Sequence, residues 1–401
     1  MDNVEPDKLE WMQDIKIRKI EGEVKIRFDL QGEIVNPTKE VSWREGLHHH
    51  GEDEQLAGYT LQELLGLSNS RVMKQRILAF KALAAVIRNA RLRKGDRTLF
   101  QSPKLLLQAG LIVVARRELD SESIQSQIIA LDLLYALLGP LIDTPTRHKH
   151  LVNQNWPCGT FLPFDESEAE SLGDGLIDHS AKELISSLIF MNIIPRFRFL
   201  LGHETLPEEA KIRLLEILSV FGNHSLSVAQ KMFDDASLCH ELIKLFDHVA
   251  YRDEIAFIFN DMIKNGRNLA KRIFDLEHFQ TKLTKIIFEC SENQIGRKLL
   301  ANLLRMGVGV EYTECLMQRL VENNLLSNID IIINFFIACD KNSKNHQKLI
   351  GMAKSLDKST PEYLKLVIFV IQYSLQVEGK QFTSELLPGK VDGPNGLNWS
   401  V

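Results

Sequence analysis

The sequence predicts a mainly α fold, an α-solenoid of stacked helices carrying a small N-terminal β-hairpin or meander, and three observations support this. From Tyr59 onward, apolar residues recur at helical spacing almost to the end of the chain. The breaks between these runs are short, often a Gly or Asn-Gly, so successive helices must fold back on their neighbours. Before Tyr59 the period differs: Val24, Ile26, Phe28 and Leu30 alternate with Lys25, Arg27, Asp29 and Gln31, the pattern of a half-buried strand.

Ile15 and Ile17 begin a similar alternating run, and Glu21-Gly22 and Gln31-Gly32 sit where tight turns would join the runs. The expected hairpin or meander covers residues 14–36 and needs a helical layer against it. Thr60 with Glu63 forms a capping-box pattern ahead of Leu61, Leu64 and Leu65. Met73, Ile77, Phe80, Ala84 and Ile87 mark the next helix. Ser102-Pro103 should open a third with an N1 proline, and Ile124 to Leu138 a fourth that halts at Gly139-Pro140.

Residues 139–180 hold prolines at 140, 145, 157 and 163 and an acidic run through Asp165, Glu166, Glu168 and Glu170. Such a stretch without periodicity reads as a linker or an inserted segment. Helical patterns then recur at 181–201, 207–221, 225–234, 236–250, 252–265, 268–290, 292–306, 311–322, 327–340, 345–356 and 361–377. No amphipathic pair buries its apolar face alone, so the pairs stack, in an array of the armadillo or HEAT kind. The expected organisation is a strand region with a histidine motif (1–58), a first helical subdomain (59–138), the acidic Pro/Gly linker (139–180), the solenoid (181–378) and a flexible tail (379–401).

Composition narrows the function. Hydrophobic residues at 44% and charged residues at 25% suit a folded chain. With 48 Lys and Arg against 53 Asp and Glu, the balance of -5 gives no positive field, so direct nucleic-acid binding and membrane-surface binding are not expected. The opening residues lack the basic and apolar regions of a secretory signal, and no apolar run approaches a bilayer span, so a soluble intracellular protein is expected. Five scattered cysteines without a CxxC pair suit a reducing compartment and buried structural thiols.

The candidate chemistry is His48-His49-His50, followed by Glu52 and Asp53, residue types that bind transition metals and would serve a metal-dependent hydrolase. Adjacent side chains diverge, whereas ligand pairs need i,i+2 on a strand or i,i+4 on a helix, so no metal is expected there. Met306-Gly307-Val308-Gly309-Val310 lacks the third glycine of a dinucleotide turn, and no phosphate loop or nucleophile elbow exists, leaving neither cofactor nor catalytic residue. Arg88, Arg91, Arg93, Lys94 and Arg97 read as a solvated helix terminus, with docking on an acidic partner or nuclear import as the functional alternative. Ile331–Cys339 and residues 364–375 read as solenoid core.

Two blocks add a resemblance. Arg27-Phe28-Asp29-Leu30-Gln31-Gly32 precedes Gly46-Leu47-His48-His49-His50-Gly51, which runs on to Ala57-Gly58-Tyr59-Thr60-Leu61-Gln62-Glu63-Leu64. In order and spacing they resemble the C-terminal conserved region of the RNA polymerase II-associated protein 1 family, over about residues 24–90. The resemblance implies a non-catalytic scaffold or adaptor present in nucleus and cytoplasm. Its implied partners are RNA polymerase II subunits and their assembly chaperones or GPN-loop GTPases, in polymerase assembly, nuclear delivery or transcription. The partner-binding residues it suggests are Arg27, Phe28, Asp29, Gly32, His48, His49, His50, Gly51 and Tyr59. The rival reading is a generic α-solenoid adaptor for an unrelated protein cargo.

Overall fold

The computed structural model describes residues 17–20, 26–35, 57–93, 97–139, 172–289, 294–324, 328–339, 343–354, 365–370 and 372. The expectations for His48–His50 and Gly51, for residues 140–171 and for the tail from 379 lie outside these. The chain divides into two compact units, Met1–Met262 and Ile263–Val401.

In the first unit, α1 (Leu61–Ser68), α2 (Met73–Leu92), α3 (Arg97–Gln108), α4 (Leu111–Glu118) and α5 (Ile124–Leu138) are followed by α6 (Leu172–Ser180), α7 (Leu184–Phe190) and α8 (Ile193–Gly202). Then come α9 (Glu208–His224), α10 (Leu226–Asp234), α11 (Ala236–Leu245) and α12 (Arg252–Ile263), whose last residue is counted with the second unit. The centre is α2, with Ala79, Phe80, Ala82, Leu83, Ala84, Val86, Ile87 and Ala90 all buried. Its alanines favour helix and let neighbours approach closely, so it packs on α1, α3 and α5 together.

Helices rest on sequence neighbours and, in several cases, on one further along: α2 on α5, α5 on α9, α3 on α6, and α8 on α11. That stacking is the defining arrangement of an α-solenoid. The second unit holds α13 (Arg267–Phe274), α14 (Phe279–Glu289), α15 (Gln294–Arg305), α16 (Val310–Asn324), α17 (Ile329–Ala338) and α18 (Ser343–Lys354). There α15 packs on both α14 and α17, around Leu299, Leu300, Leu303, Ile331, Ile332 and Phe335.

No single described helix is long and apolar enough to cross a membrane. The apolar pair α7 and α8, bent by 77°, is core, for Leu184, Ile185, Leu188, Ile193, Phe197 and Leu200 are buried.

Several expectations are corrected. Among the described residues there is no extended strand: Phe28 makes isolated antiparallel bridges to Ile34 and to Tyr59. Arg27, assigned by alternation to the solvent face, is buried, because its guanidinium is used inside the fold. Helix α3 begins at Arg97 and carries Pro103 internally. Burial of Leu99, Leu106 and Leu107 on both sides outweighs the ~3 kcal/mol an interior proline costs. Helix α4 is a separate element that the helical period does not set apart, and α6 begins inside the stretch expected to be aperiodic. The 181–201 pattern breaks at Asn192 and the 268–290 pattern near His278, both in positive-φ conformations. Cys315 is exposed, whereas Cys239 is buried. Arg91 is not solvated: it donates to the Ala136 and Gly139 carbonyls at 2.7 and 2.6 Å, capping the C-terminus of α5.

Candidate functional site

The residues singled out near the N-terminus form one clamp over α1 and α2. Phe28 is its pivot, 1% exposed. Its N–H donates to the Tyr59 carbonyl and the Tyr59 N–H to the Phe28 carbonyl, both at 2.8 Å. On the other edge, the Asp29 N–H donates to Glu33 O at 2.9 Å and the Val35 N–H to Arg27 O at 2.8 Å. Three short segments therefore meet at a single residue, and burying that ring contributes about 2–3 kcal/mol.

The intervening turn is built by Asp29, whose Oδ1 accepts from the N–H groups of Gln31 and Glu33, both at 2.9 Å. Gly32 lies in the left-handed region at φ +74°, and a Cβ there would sit 2.4 Å from Val86 N and 2.6 Å from Ala85 C. Only glycine lets the turn lie directly on the backbone of α2. Asn89 of α2 then donates to the Gln31 and Gly32 carbonyls at 3.1 and 3.0 Å, and Arg93 grips the Glu33 carboxylate through two 2.6 Å bonds.

At α1, the Arg27 guanidinium donates to Gly58 O at 2.7 Å and lies 3.5 Å from Glu63 Oε2. Glu63 also receives the Thr60 N–H at 2.8 Å, while the Thr60 hydroxyl oxygen accepts the Glu63 N–H at 3.1 Å, completing the capping box expected from sequence. Burial, reinforced by Glu63, pushes the Tyr59 hydroxyl above its ordinary pKa, so this ring is held neutral. Thr60→Ala removes one arm of the box and is expected to destabilise by ~1 kcal/mol, read as a lowered urea midpoint with unchanged slope.

A stretch further upstream extends the clamp. The Arg18 N–H donates to Ala109 O at 3.1 Å, its side chain pairs with Asp178 of α6 at 2.5 Å, and the Ile20 N–H reaches Gln62 Oε1 at 2.8 Å. Arg27, Phe28, Asp29, Gly32 and Tyr59 are thus brought together, while His48, His49, His50 and Gly51 lie outside the described residues. Asn89, Gln62 and Arg18 carry no signal in the sequence, and Arg93, expected in a solvated helix terminus, instead holds Glu33. Each is a polar residue whose partner is more than 40 positions away, and period carries no trace of such pairings. Among the described residues, no three His, Cys, Asp or Glu side chains gather as a metal site would require.

This geometry defines a class: a helical repeat protein whose N-terminal segment is folded back and sealed onto its first helices. The family described as RPAP1-like, C-terminal, matches residues 25–91, which include the clamp residues 26–35 and 57–60, α1 and nearly all of α2. RNA polymerase II-associated protein 1 of Rattus norvegicus is 30% identical over 331 residues, 72% of this chain and 23% of that protein. RNA polymerase II-associated protein RBA50 of Saccharomyces cerevisiae is 38% identical over 90 residues, 21% of this chain and 20% of that protein. Among solved structures, a designed armadillo repeat protein aligns with 78% of this chain and 99% of its own, at 14% identity and a TM-score of 0.44. The chain belongs to the RNA polymerase II-associated protein 1 family. It spans about a quarter of the length of the rat relative.

Proposed function

We propose that the chain is a non-catalytic scaffold associated with RNA polymerase II, acting in polymerase assembly, nuclear delivery or transcription through protein–protein contacts. The observation that carries this reading is that the described residues of the family match, 26–35 and 57–91, meet in one place, the Phe28 bridges and the turn laid on α1 and α2. The described carboxylates there are engaged structurally: Asp29 by backbone amides, Glu33 by Arg93, and Glu63 by Thr60 and Arg27. That arrangement shapes a surface and supports a binding role over a reaction. In this reading Arg27, Phe28, Asp29, Gly32 and Tyr59 set the docking face from beneath, and His48, His49, His50 and Gly51 contribute to contact. The partners are polymerase II subunits and the chaperones or GPN-loop GTPases that assemble them, met in both cytoplasm and nucleus.

The test is affinity capture with the tagged chain, probed for polymerase II subunits. The wild type is expected to retain them, and H48A/H49A/H50A about tenfold less, with the helical circular dichroism unchanged. A folded wild-type chain that retains no polymerase subunit overturns the reading.

A further inference from the structure

Helix α2 carries Lys74, Arg76, Lys81, Arg88 and Arg91 and no carboxylate at all. Two of these cations are spent inward, Arg76 on Glu118 at 3.0 Å and Arg91 on the end of α5. The remaining three are exposed and recur every seven residues: Lys74, Lys81 and Arg88. Four residues beyond each stands an uncharged one, Leu78, Ala85 and Leu92, also seven apart. Positions seven apart on a helix lie nearly above one another, so the two series form a single stripe along a rod of about 30 Å, exposed at every position but the half-buried Ala85. Leu78 is 37% exposed and Leu92 63%, although much of α2 is sealed in the core.

An ordinary solvated helix face mixes signs and places carboxylates four residues from its cations. Here the i+4 positions are apolar, and the nearby Glu118 and Glu33 are already taken by Arg76 and Arg93. A polyanion site would use denser cations and aromatic stacking platforms. One cation per two turns, interleaved with leucine and alanine, instead matches half of a heptad seam. The turn at Asp29–Glu33, lying on Ala85 and Val86, borders the stripe at its middle.

We propose that the outer stripe of α2 is a docking seam for an acidic amphipathic helix of a partner protein. Its carboxylates would face Lys74, Lys81 and Arg88, and its apolar side chains would cover the exposed Leu78 and Leu92. This goes beyond the reading above, because it names the chemistry of the partner and holds whichever assembly the chain serves.

The probe is a synthetic, fluorescein-labelled helical peptide of about three heptads, with glutamates and leucines placed to match the two series. It is titrated against the full chain by fluorescence anisotropy. Saturable binding is expected, weakened at least about tenfold by K74E/K81E/R88E and restored when the peptide carries lysine in place of glutamate. L78Q/L92Q is expected to weaken it about tenfold as well, which polyanion binding would not require. Circular dichroism checks each fold, and K74Q/K81Q/R88Q serves if the reversed variant is altered. The proposal is overturned by no saturable binding to the wild type, or by equal binding to the charge-reversed chain. Insensitivity to L78Q/L92Q, or equally tight binding of a single-stranded RNA or of phosphatidylserine vesicles, also overturns it.

Discussion

Gly32→Ala is expected to destabilise the protein by about 2–4 kcal/mol, a large effect for one methyl group. Two penalties combine. A left-handed φ of +74° costs an alanine about 1–2 kcal/mol, and the new Cβ falls within 2.6 Å of backbone atoms of Ala85 and Val86. Those atoms belong to a helix packed on α1, α3 and α5, so the turn must lift instead. Lifting it breaks the two bonds from Asn89 and disturbs the paired Arg93 and Glu33. Urea denaturation measures the loss, and hydrogen exchange at the Gly32 amide, bonded to Asp29 O at 3.1 Å, should rise ahead of the α2 amides. A change below about 0.5 kcal/mol would mean that the turn does not rest on α2.

Arg116→Met is expected to cost about 3–5 kcal/mol. This side chain is fully buried, and burial pushes its guanidinium below the ordinary value while Asp120 pulls it back. It donates to Met191 O at 3.0 Å and Asn192 O at 3.4 Å and pairs with Asp120 at 2.6 Å. Those carbonyls sit where α7 turns by 77° into α8 through the left-handed Asn192. A cation on α4 therefore satisfies the corner between two other helices. Methionine keeps most of the volume, so the loss isolates the hydrogen bonds and the charge pair. Asp120 retains Arg196 at 3.2 Å, which limits the damage. A Tm within a degree or two of the wild type would show that the corner holds itself.

The features read correctly from the sequence are those fixed by neighbours. Thr60 and Glu63 are three residues apart, and the capping box they spell is present with both bonds. Gly139 ends α5 where Gly-Pro said a helix must stop. Errors arose where a distant partner overrode a local rule. Pro103 looked like a helix start, yet the leucines around it are buried on both sides. Arg91 looked like a solvated terminus because its acceptors lie 45 and 48 residues onward. The clamp was half legible: alternation around Phe28 marked an extended segment, but nothing local indicated that Tyr59 would supply its bridge partner. Arg27 shows the limit of a period-two rule, since one specific carbonyl acceptor was enough to draw a charged residue inward.

The order in which the chain leaves the ribosome gives the Arg18 contacts a further meaning. The backbone acceptor of Arg18 is at Ala109 and its carboxylate at Asp178, 160 positions downstream. At about 5–20 residues per second, Arg18 waits many seconds for Asp178 to be made. During that interval the bridges of Phe28 to Ile34 and Tyr59 can already form, whereas the bond from Arg18 to Asp178 has to follow. The clamp therefore closes in two stages, the part around Phe28 once α2 has been made and the Arg18 end only after α6 has followed.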